Sequence, residues 1–210
     1  MSAPASPSTV SRGEGRPDPR GAHEWWTAPA HWLRRALPSA FASFLAGVLC
    51  TFAFAPFHAY WIAPIAFVLM LALIDLAPNA RAAAWRGFVF GLGYFLGGVS
   101  WVYVSMNVYG AMPLPLAALA TVGFCAYLAL FPMLGFWLLK TVPAGAAWLA
   151  AFPACWVLSE WLRGWLFTGF SWQAIGYSQS TESPLAGWAP VGGVYAISLA
   201  LTVTAAAIWL

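Results

Sequence analysis

Charge is what this sequence has least of. Only 7% of its 210 residues are Asp, Glu, Lys or Arg, whereas 62% are hydrophobic. An ordinary soluble domain has about 25% charged residues, so this composition excludes that class of protein. Lysine is reduced to a single residue, Lys140. We expect no nucleic-acid partner for such a chain.

Residues that bind metals are also scarce. The three cysteines, Cys50, Cys125 and Cys155, all lie within apolar runs, where a thiolate is disfavoured. The histidines lie in the N-terminal segment and in one loop, and no CxxC or Cys/His ligand spacing occurs. The sequence therefore predicts no metal site and no cofactor.

The usual catalytic motifs are missing too. The sequence has neither a glycine-rich phosphate loop nor a GxSxG motif. Lys140 is expected on the opposite side of a membrane from Glu160 and Glu182, so a nucleophile, a base and an oxyanion stabiliser cannot be assembled on one face. We predict no catalytic residue in this chain and expect the 210-residue chain alone to be inactive.

Long apolar runs are what the sequence has instead. A helix needs about 20 apolar residues to cross a bilayer, and runs without alternating polarity favour helices over a barrel. The prediction is an all-α protein, a polytopic transmembrane bundle of about six helices. The expected helices are 36–57, 61–77, 87–108, 114–139, 144–159 and 185–210.

Residues 1–35 differ from the rest. They are rich in Pro, Ser, Gly and Arg and predict a disordered tail. All basic residues except Arg163 fall on one side if that tail is cytoplasmic, so the positive-inside rule predicts a cytoplasmic N-terminus. The last run ends at Leu210 without a charged flank, from which we expect the natural chain to continue; the alternative is a C-terminus anchored at the interface by Trp209.

Glycines recur through the third run. At 100° per residue, Gly87, Gly91 and Gly98 share one stripe with Tyr94, Trp101 and Ser105, while Gly93 and Gly97 lie on a neighbouring face. Small residues at this spacing favour close helix packing. A groove for a lipid chain is the alternative.

Residues 160–184 are too polar to span a bilayer and too aromatic for a plain loop. We predict an amphipathic aromatic arm on the outer face, hinged at glycines. Glu160 and Arg163 stand three residues apart, as in an ion pair on one helical face. Such a pair would merely neutralise two charges, whereas a functional alternative has Arg163 binding a lipid phosphate.

Three segments together resemble a known family. They are FAFAPFHAYW, GVSWVYVSMNVYGAMPLP and, most specifically, EWLRGWLFTGFSWQAIGYSQ. They are similar to the N-terminal membrane domain of bacterial apolipoprotein N-acyltransferases. The similarity extends over roughly residues 41–210.

The resemblance implies a multi-pass enzyme of the bacterial inner membrane that completes lipoprotein maturation. The implied partners are a phospholipid acyl donor, usually phosphatidylethanolamine, and a diacylated apolipoprotein acceptor. The family's catalytic Glu, Lys and Cys belong to a nitrilase-like domain, and none of them can be placed here. By motif position, Trp172 would lie near the cleft through which lipids reach that domain. Weaker candidates for the same cleft are Trp101, Tyr103, Glu160, Arg163, Gly169, Phe170 and Tyr177.

Two other functions remain as alternatives. A transporter usually shows charges or broken helices at the membrane midplane, and Asp75 alone is a poor candidate for such a role. A non-catalytic membrane scaffold would be stable yet unable to acylate lipoproteins.

Overall fold

The computed structural model describes residues 24–179 and 183–210, with side chains from Leu37 onward. The predicted tail therefore lies outside the described residues over 1–23, as does the arm over 180–182. Contacts divide the chain into two units between Ala36 and Leu37, and the helix bundle belongs to the second unit, Leu37–Leu210. The α-helices are α1 Glu24–Thr51, α2 Ile62–Asp75, α3 Ala80–Val99, α4 Trp101–Val104, α5 Leu114–Leu139, α6 Trp148–Arg163 and α7 Ala189–Trp209.

The all-α prediction is confirmed, since the described residues contain helices and no strand. By length and composition, two helices within the described residues can cross a membrane, Leu114–Leu139 and Pro184–Trp209. A third candidate is the bent pair Ala80–Val99 and Trp101–Tyr109, which changes direction by 52°. Shorter apolar helices cover Leu37–Thr51 and Ile62–Asp75.

The predicted third helix is thus broken near its end. α3 stops at Val99, α4 follows directly, and a π-helical turn, Ser105–Tyr109, completes the segment. Asn79 caps the start of α3, where its side-chain oxygen accepts a hydrogen bond from the amide of Ala82 at 2.9 Å.

Several glycines of α3 pack against other helices, as the sequence predicted. A Cβ on Gly91 would lie 2.7 Å from Pro132 of α5, and one on Gly87 would lie 2.9 Å from the Pro132 carbonyl oxygen. On the neighbouring face, a Cβ on Gly93 would lie 2.3 Å from the carbonyl oxygen of Phe44 in α1. Helix packing is therefore confirmed at Gly87 and Gly91 on one face and at Gly93 on the other.

A buried aromatic cluster joins α2, α3, α5 and α6. Phe67 and Trp156 pack edge to face with centroids 4.5 Å apart, and Phe136 stacks on Phe152 at 6.0 Å. Phe90 and Tyr94 of α3 contact the same group. The cluster packs on the middle of α6, and its Trp156 lies one turn before Glu160 in the same helix.

The helix ends make two chemically different ends of the bundle. At one end, Lys140 donates a hydrogen bond to the carbonyl of Asp75 at 2.7 Å, and Arg86 donates one to the carbonyl of Leu73. These two cations lie on the last carbonyls of α2, where the helix dipole favours positive charge. We call this the basic end. The opposite end holds the C-termini of α1, α3 and α6.

Candidate functional site

A cavity of about 640 Å³ opens at the end of the bundle opposite the basic end. Its walls come from the end of α1 with the loop after it, the end of α3, and the segment after α6. Aromatic side chains that line it are Phe54, Phe57, His58, Trp101, Trp172 and Tyr177; small or polar residues that line it include Thr51, Gly97, Gly98, Ser100, Ser171, Gln173 and Ser178. We call it the Trp101–Trp172 cavity.

The two tryptophans that give the cavity its name touch each other. Their rings meet edge to face with centroids 5.5 Å apart. Trp172 nevertheless remains 58% exposed and Trp101 45% exposed. Two large, half-exposed aromatic rings at the rim of a concave site are typical of a place where a ligand with an apolar part is held.

The loop that presents Trp172 has an unusual backbone. Phe167, Thr168 and Gly169 follow one another with φ of 52°, 77° and 78°, in the region that side chains disfavour. Glycine is required at the third position, because a Cβ there would lie 2.1 Å from the carbonyl oxygen of Gly164. Gln173, next to Trp172, also has a positive φ of 61°.

Arg163 holds this loop from inside. Its side chain is only 3% exposed, and its NH1 group donates to the carbonyl of Phe170 at 3.1 Å and to the carbonyl of Trp172. The guanidinium carbon also lies 5.1 Å from the centroid of the Phe95 ring. Arg163 thus fixes the backbone on both sides of Ser171, and its NH1 is already occupied by protein groups.

Glu160 holds the next part of the same segment. Its Oε1 accepts hydrogen bonds from the Trp156 indole at 3.0 Å and from the Ile175 amide at 2.6 Å. Oε2 is buried and makes no hydrogen bond of good geometry within the described chain, although the Ser198 side chain is close enough to interact with the carboxylate. The carboxylate is 3% exposed.

The predicted ion pair between these two residues therefore takes an indirect form. The hydrogen bonds of Arg163 go to loop carbonyls and those of Glu160 go to Trp156 and Ile175, while the two charges still act on each other electrostatically. Each charge is compensated by backbone dipoles as well as by the other charge. Together they bind one loop to the end of α6.

Gln173 and Tyr94 form a third anchor. The Tyr94 hydroxyl donates to the Gln173 carbonyl at 2.8 Å, and the Gln173 side-chain amide donates back to the Tyr94 carbonyl at 3.0 Å. Gly98 makes room for this amide, since a Cβ at Gly98 would lie 1.8 Å from Nε2 of Gln173. The third glycine of the α3 stripe thus packs against a loop, not a helix.

The structure divides the candidate site residues into two groups. Trp172, Trp101 and Tyr177 line the Trp101–Trp172 cavity. The others do not line it: Glu160 and Arg163 lie behind the loop, Gly169 forms its turn, Phe170 packs on Phe124 with centroids 5.0 Å apart, and Tyr103 is a half-buried residue of α4.

Sequence reasoning missed Gln173 and the hydroxyls of Ser171 and Ser178 as cavity residues. It also gave no part in the site to the segment Phe54–His58, although those residues belong to the FAFAPFHAYW segment. Polar residues inside a strongly aromatic segment are a sequence signal that could have indicated them. The positive φ of Gln173, which determines the position of its side chain, has no such signal in the sequence.

The chain is similar to known proteins over most of its length. A family model described as the apolipoprotein N-acyltransferase N-terminal domain matches residues 46–207. Similar curated proteins, each named apolipoprotein N-acyltransferase, include one from Chromobacterium violaceum, 43% identical over 80% of this chain and 32% of its own length. Relatives from Ralstonia nicotianae and Nitrosomonas europaea are 45% and 47% identical over 86% and 80% of this chain. The chain spans about a third of the length of these relatives, 35% of each of the latter two.

Proposed function

Since the chain belongs to the apolipoprotein N-acyltransferase family, we propose that it forms the membrane part of such an enzyme and holds its lipid substrate. The observation that carries this proposal is the Trp101–Trp172 cavity, with two half-exposed tryptophans at its rim. The most specific motif of the sequence, residues 160–179, supplies the loop that shapes the cavity.

The proposed reaction is transfer of an acyl chain from a phospholipid to the α-amino group of a diacylglyceryl-cysteine at a lipoprotein N-terminus. The proposed donor is phosphatidylethanolamine, and the proposed acceptor is a diacylated apolipoprotein. The described residues offer no catalytic set for this step. Cys50 and Cys125 are buried, Cys155 is half-buried, and Lys140 lies at the basic end, opposite the cavity. The acyl-transfer groups are therefore proposed to lie in the part of the relatives that this chain does not match.

The proposed setting is the bacterial inner membrane, crossed about six times with the N-terminus cytoplasmic. Arg86 and Lys140 at the basic end support this orientation, because loops rich in Lys and Arg stay on the cytoplasmic side. The cavity then faces outward, in the outer half of the bilayer. The exposed Trp161, Trp165 and Phe167 next to it fit an aromatic arm at the outer interface.

Lipid binding to the purified chain tests the proposal. The chain in nonionic detergent is titrated with short-chain phosphatidylethanolamine, and bound lipid is counted by native mass spectrometry. Trp172→Ala should lower lipid occupancy several-fold, because a large apolar contact at the cavity rim is lost. Trp165→Ala is the matched control, as Trp165 is similarly exposed, at 54% against 58%, but does not line the cavity.

Equal occupancy in the two variants would contradict the proposed binding site. A companion assay with labelled palmitoyl phospholipid and a diacylated lipopeptide tests the second part of the proposal. The 210-residue chain alone should transfer no label. Transfer by the purified chain would show that catalytic groups are present within it.

A further inference from the structure

One residue that lines the Trp101–Trp172 cavity, Gln173, has a buried polar atom with no hydrogen-bond partner in the part of the chain that the structure describes. Gln173 lines the cavity and is 5% exposed, yet its Oε1 makes no hydrogen bond to any described residue. A buried amide oxygen without a partner costs about 1–3 kcal/mol relative to one that is hydrogen-bonded. An atom of this kind at a ligand cavity points to a group that is supplied by the ligand.

The contacts of Gln173 decide which end of its amide is unpaired. Nε2 donates to the Tyr94 carbonyl at 3.0 Å. The reversed amide would set Oε1 against that carbonyl oxygen, and two acceptors repel each other. The unpaired atom is therefore the oxygen, and it can only accept a hydrogen bond.

The backbone around Gln173 is held firmly enough to make this acceptor a fixed feature. Its φ of 61° is unfavourable for a residue with a side chain. The Tyr94 hydroxyl bond to its carbonyl, the return bond from Nε2, and the space above Gly98 hold it in place. An acceptor fixed in this way loses little entropy when a donor arrives.

The other polar groups that line the cavity are mostly uncharged, so they would bind a ligand's head group through neutral hydrogen bonds. Ser100, Ser171 and Ser178 contribute hydroxyls. His58 alone represents the Asp, Glu, Lys, Arg and His side chains among the lining residues that the structure describes. Among the described residues, no carboxylate lines the cavity to bind a cation by charge alone. Such a cavity distinguishes one lipid head group from another by hydrogen bonds more than by net charge.

We propose that Gln173 Oε1 accepts a hydrogen bond from an N–H or O–H of a phospholipid head group and so selects lipids that carry such a donor. The inference rests on the proposed function, in which the cavity holds a phospholipid. Head groups that end in an ammonium or a hydroxyl group satisfy Oε1, whereas a trimethylammonium head group has no hydrogen to donate. Gln173 is thus a specificity residue, distinct from the tryptophans that hold the apolar part.

A series of methylated lipids tests this step. Phosphatidylethanolamine, its N-methyl and N,N-dimethyl forms, and phosphatidylcholine share one charge pattern and matched short chains, and only the last lacks an N–H. Binding to the purified 210-residue chain should change little through the first two methyl groups and weaken about tenfold at the third, as expected for loss of one hydrogen bond from a charged donor.

Two variants separate the acceptor from the loop. Gln173→Met should abolish the step at the third methyl group, because the acceptor is gone while the side-chain volume is kept. Tyr94→Phe removes one of the bonds that hold the same loop but leaves Oε1 in place, so the step should remain. The measured quantity is a ratio of affinities within one variant, so a general weakening of the loop does not affect it.

A gradual loss over all three methyl groups would indicate a steric effect and overturn the inference. Equal binding of all four lipids would also overturn it and would show that water satisfies Oε1. The inference fails as well if the step persists in Gln173→Met. A diacylated lipopeptide with a free or an acetylated α-amino group is measured in parallel. If Gln173→Met changes the affinity ratio of the two lipopeptides but not that of the phospholipids, Oε1 binds the amino group of the acyl-accepting substrate, and the inference is overturned. If no phospholipid binds, the proposed function itself fails.

Discussion

Arg163 and Glu160 show how much the role of a residue depends on what surrounds it. Both charges are 3% exposed, and both bind the backbone of the segment that forms the cavity wall. Burying an ion is costly unless it is hydrogen-bonded and paired. These two residues are therefore positioning residues, which act on the cavity through the loop carrying Trp172.

Removing Arg163 should destabilise the protein strongly. Arg163→Met leaves the Phe170 and Trp172 carbonyls without their donor and Glu160 without its nearby positive charge. Breaking a buried charge pair costs about 3–5 kcal/mol, which SDS titration of the detergent-solubilised chain can measure as a loss of unfolding free energy. Arg81→Met is the control, since Arg81 is exposed and should change stability by less than about 0.5 kcal/mol.

The double variant Glu160→Gln with Arg163→Met sharpens this result. If the two charges stabilise each other, it should lose less than the sum of the two single losses, by about 0.5–3 kcal/mol. Additive losses would mean that each residue acts only through its own backbone contacts. That outcome would contradict the electrostatic coupling between them.

Gly169 gives a second prediction at this scale. Gly169→Ala brings a Cβ within 2.1 Å of the Gly164 carbonyl oxygen at a φ of 78°, so the loop must rearrange. Strain in such a backbone region costs about 1–3 kcal/mol, and lipid occupancy at the cavity should fall with it. Gly145 also has a positive φ, 115°, but a Cβ added there would meet no atom within 4 Å, so Gly145→Ala is the control. It should lower the melting temperature less and leave lipid occupancy unchanged.

The residues that line the cavity were only partly predictable from sequence. Trp172, Trp101 and Tyr177 were candidates because aromatic residues in a specific motif are visible in the sequence, and all three line the cavity. Gln173 was not, because its place depends on a positive φ and on space above Gly98, which only the folded chain provides. Phe170, Gly169, Arg163 and Glu160 belong to the same loop but support it from behind.

At the scale of helices, α3 carries most of the organisation. Its glycines bring it close to α1 and α5, and its far end makes room for Gln173. The glycine spacing was sufficient to predict helix packing. The 52° bend that follows Val99 and the π-helical turn were not predicted, because no proline marks them and the isolated polar residues Ser100, Ser105 and Asn107 do not interrupt the apolar run.

The crossing of α1 and α3 supplies the third prediction. A Cβ on Gly47 would lie 2.1 Å from the Phe90 carbonyl oxygen, and a Cβ on Gly93 would lie 2.3 Å from the Phe44 carbonyl oxygen. Backbone atoms cannot move aside as a side chain can, so Gly47→Ala should separate the helices and cost about 1–3 kcal/mol. The loss is measured by SDS titration.

Gly123→Ala provides the matched control within α5. A Cβ there meets nothing within 4 Å, and alanine is more favourable than glycine inside a helix by up to about 1 kcal/mol. This variant should be neutral or slightly stabilising. Equal losses in the two variants would show that the α1–α3 crossing is looser than the structure indicates.

At the scale of the whole molecule, the two ends of the bundle follow from the distribution of charge. The all-helical class was predictable because apolar runs of this length have few other solutions in a bilayer. The number of crossings is harder to obtain, since α2 and α6 contain 14 and 16 residues, and both are shorter than the roughly 17–25 residues that span a bilayer. Six crossings and a cytoplasmic N-terminus remain predictions.

Labelling of the two ends of α5 tests both the crossing and its direction. The helix has 26 residues, hence a length of about 39 Å, which exceeds a hydrocarbon core of about 30 Å. Tyr109→Cys lies before it at a residue that is 85% exposed, and Thr141→Cys lies after it beside Lys140. In spheroplasts, an impermeant maleimide should label Tyr109→Cys at once and Thr141→Cys only after permeabilisation.

The parent chain serves as background, because Cys50 and Cys125 are buried and Cys155 is half-buried. The reverse labelling pattern would place the Trp101–Trp172 cavity on the cytoplasmic side and remove it from any outward-facing reaction. Labelling of both sites from one side would mean that α5 does not cross the membrane.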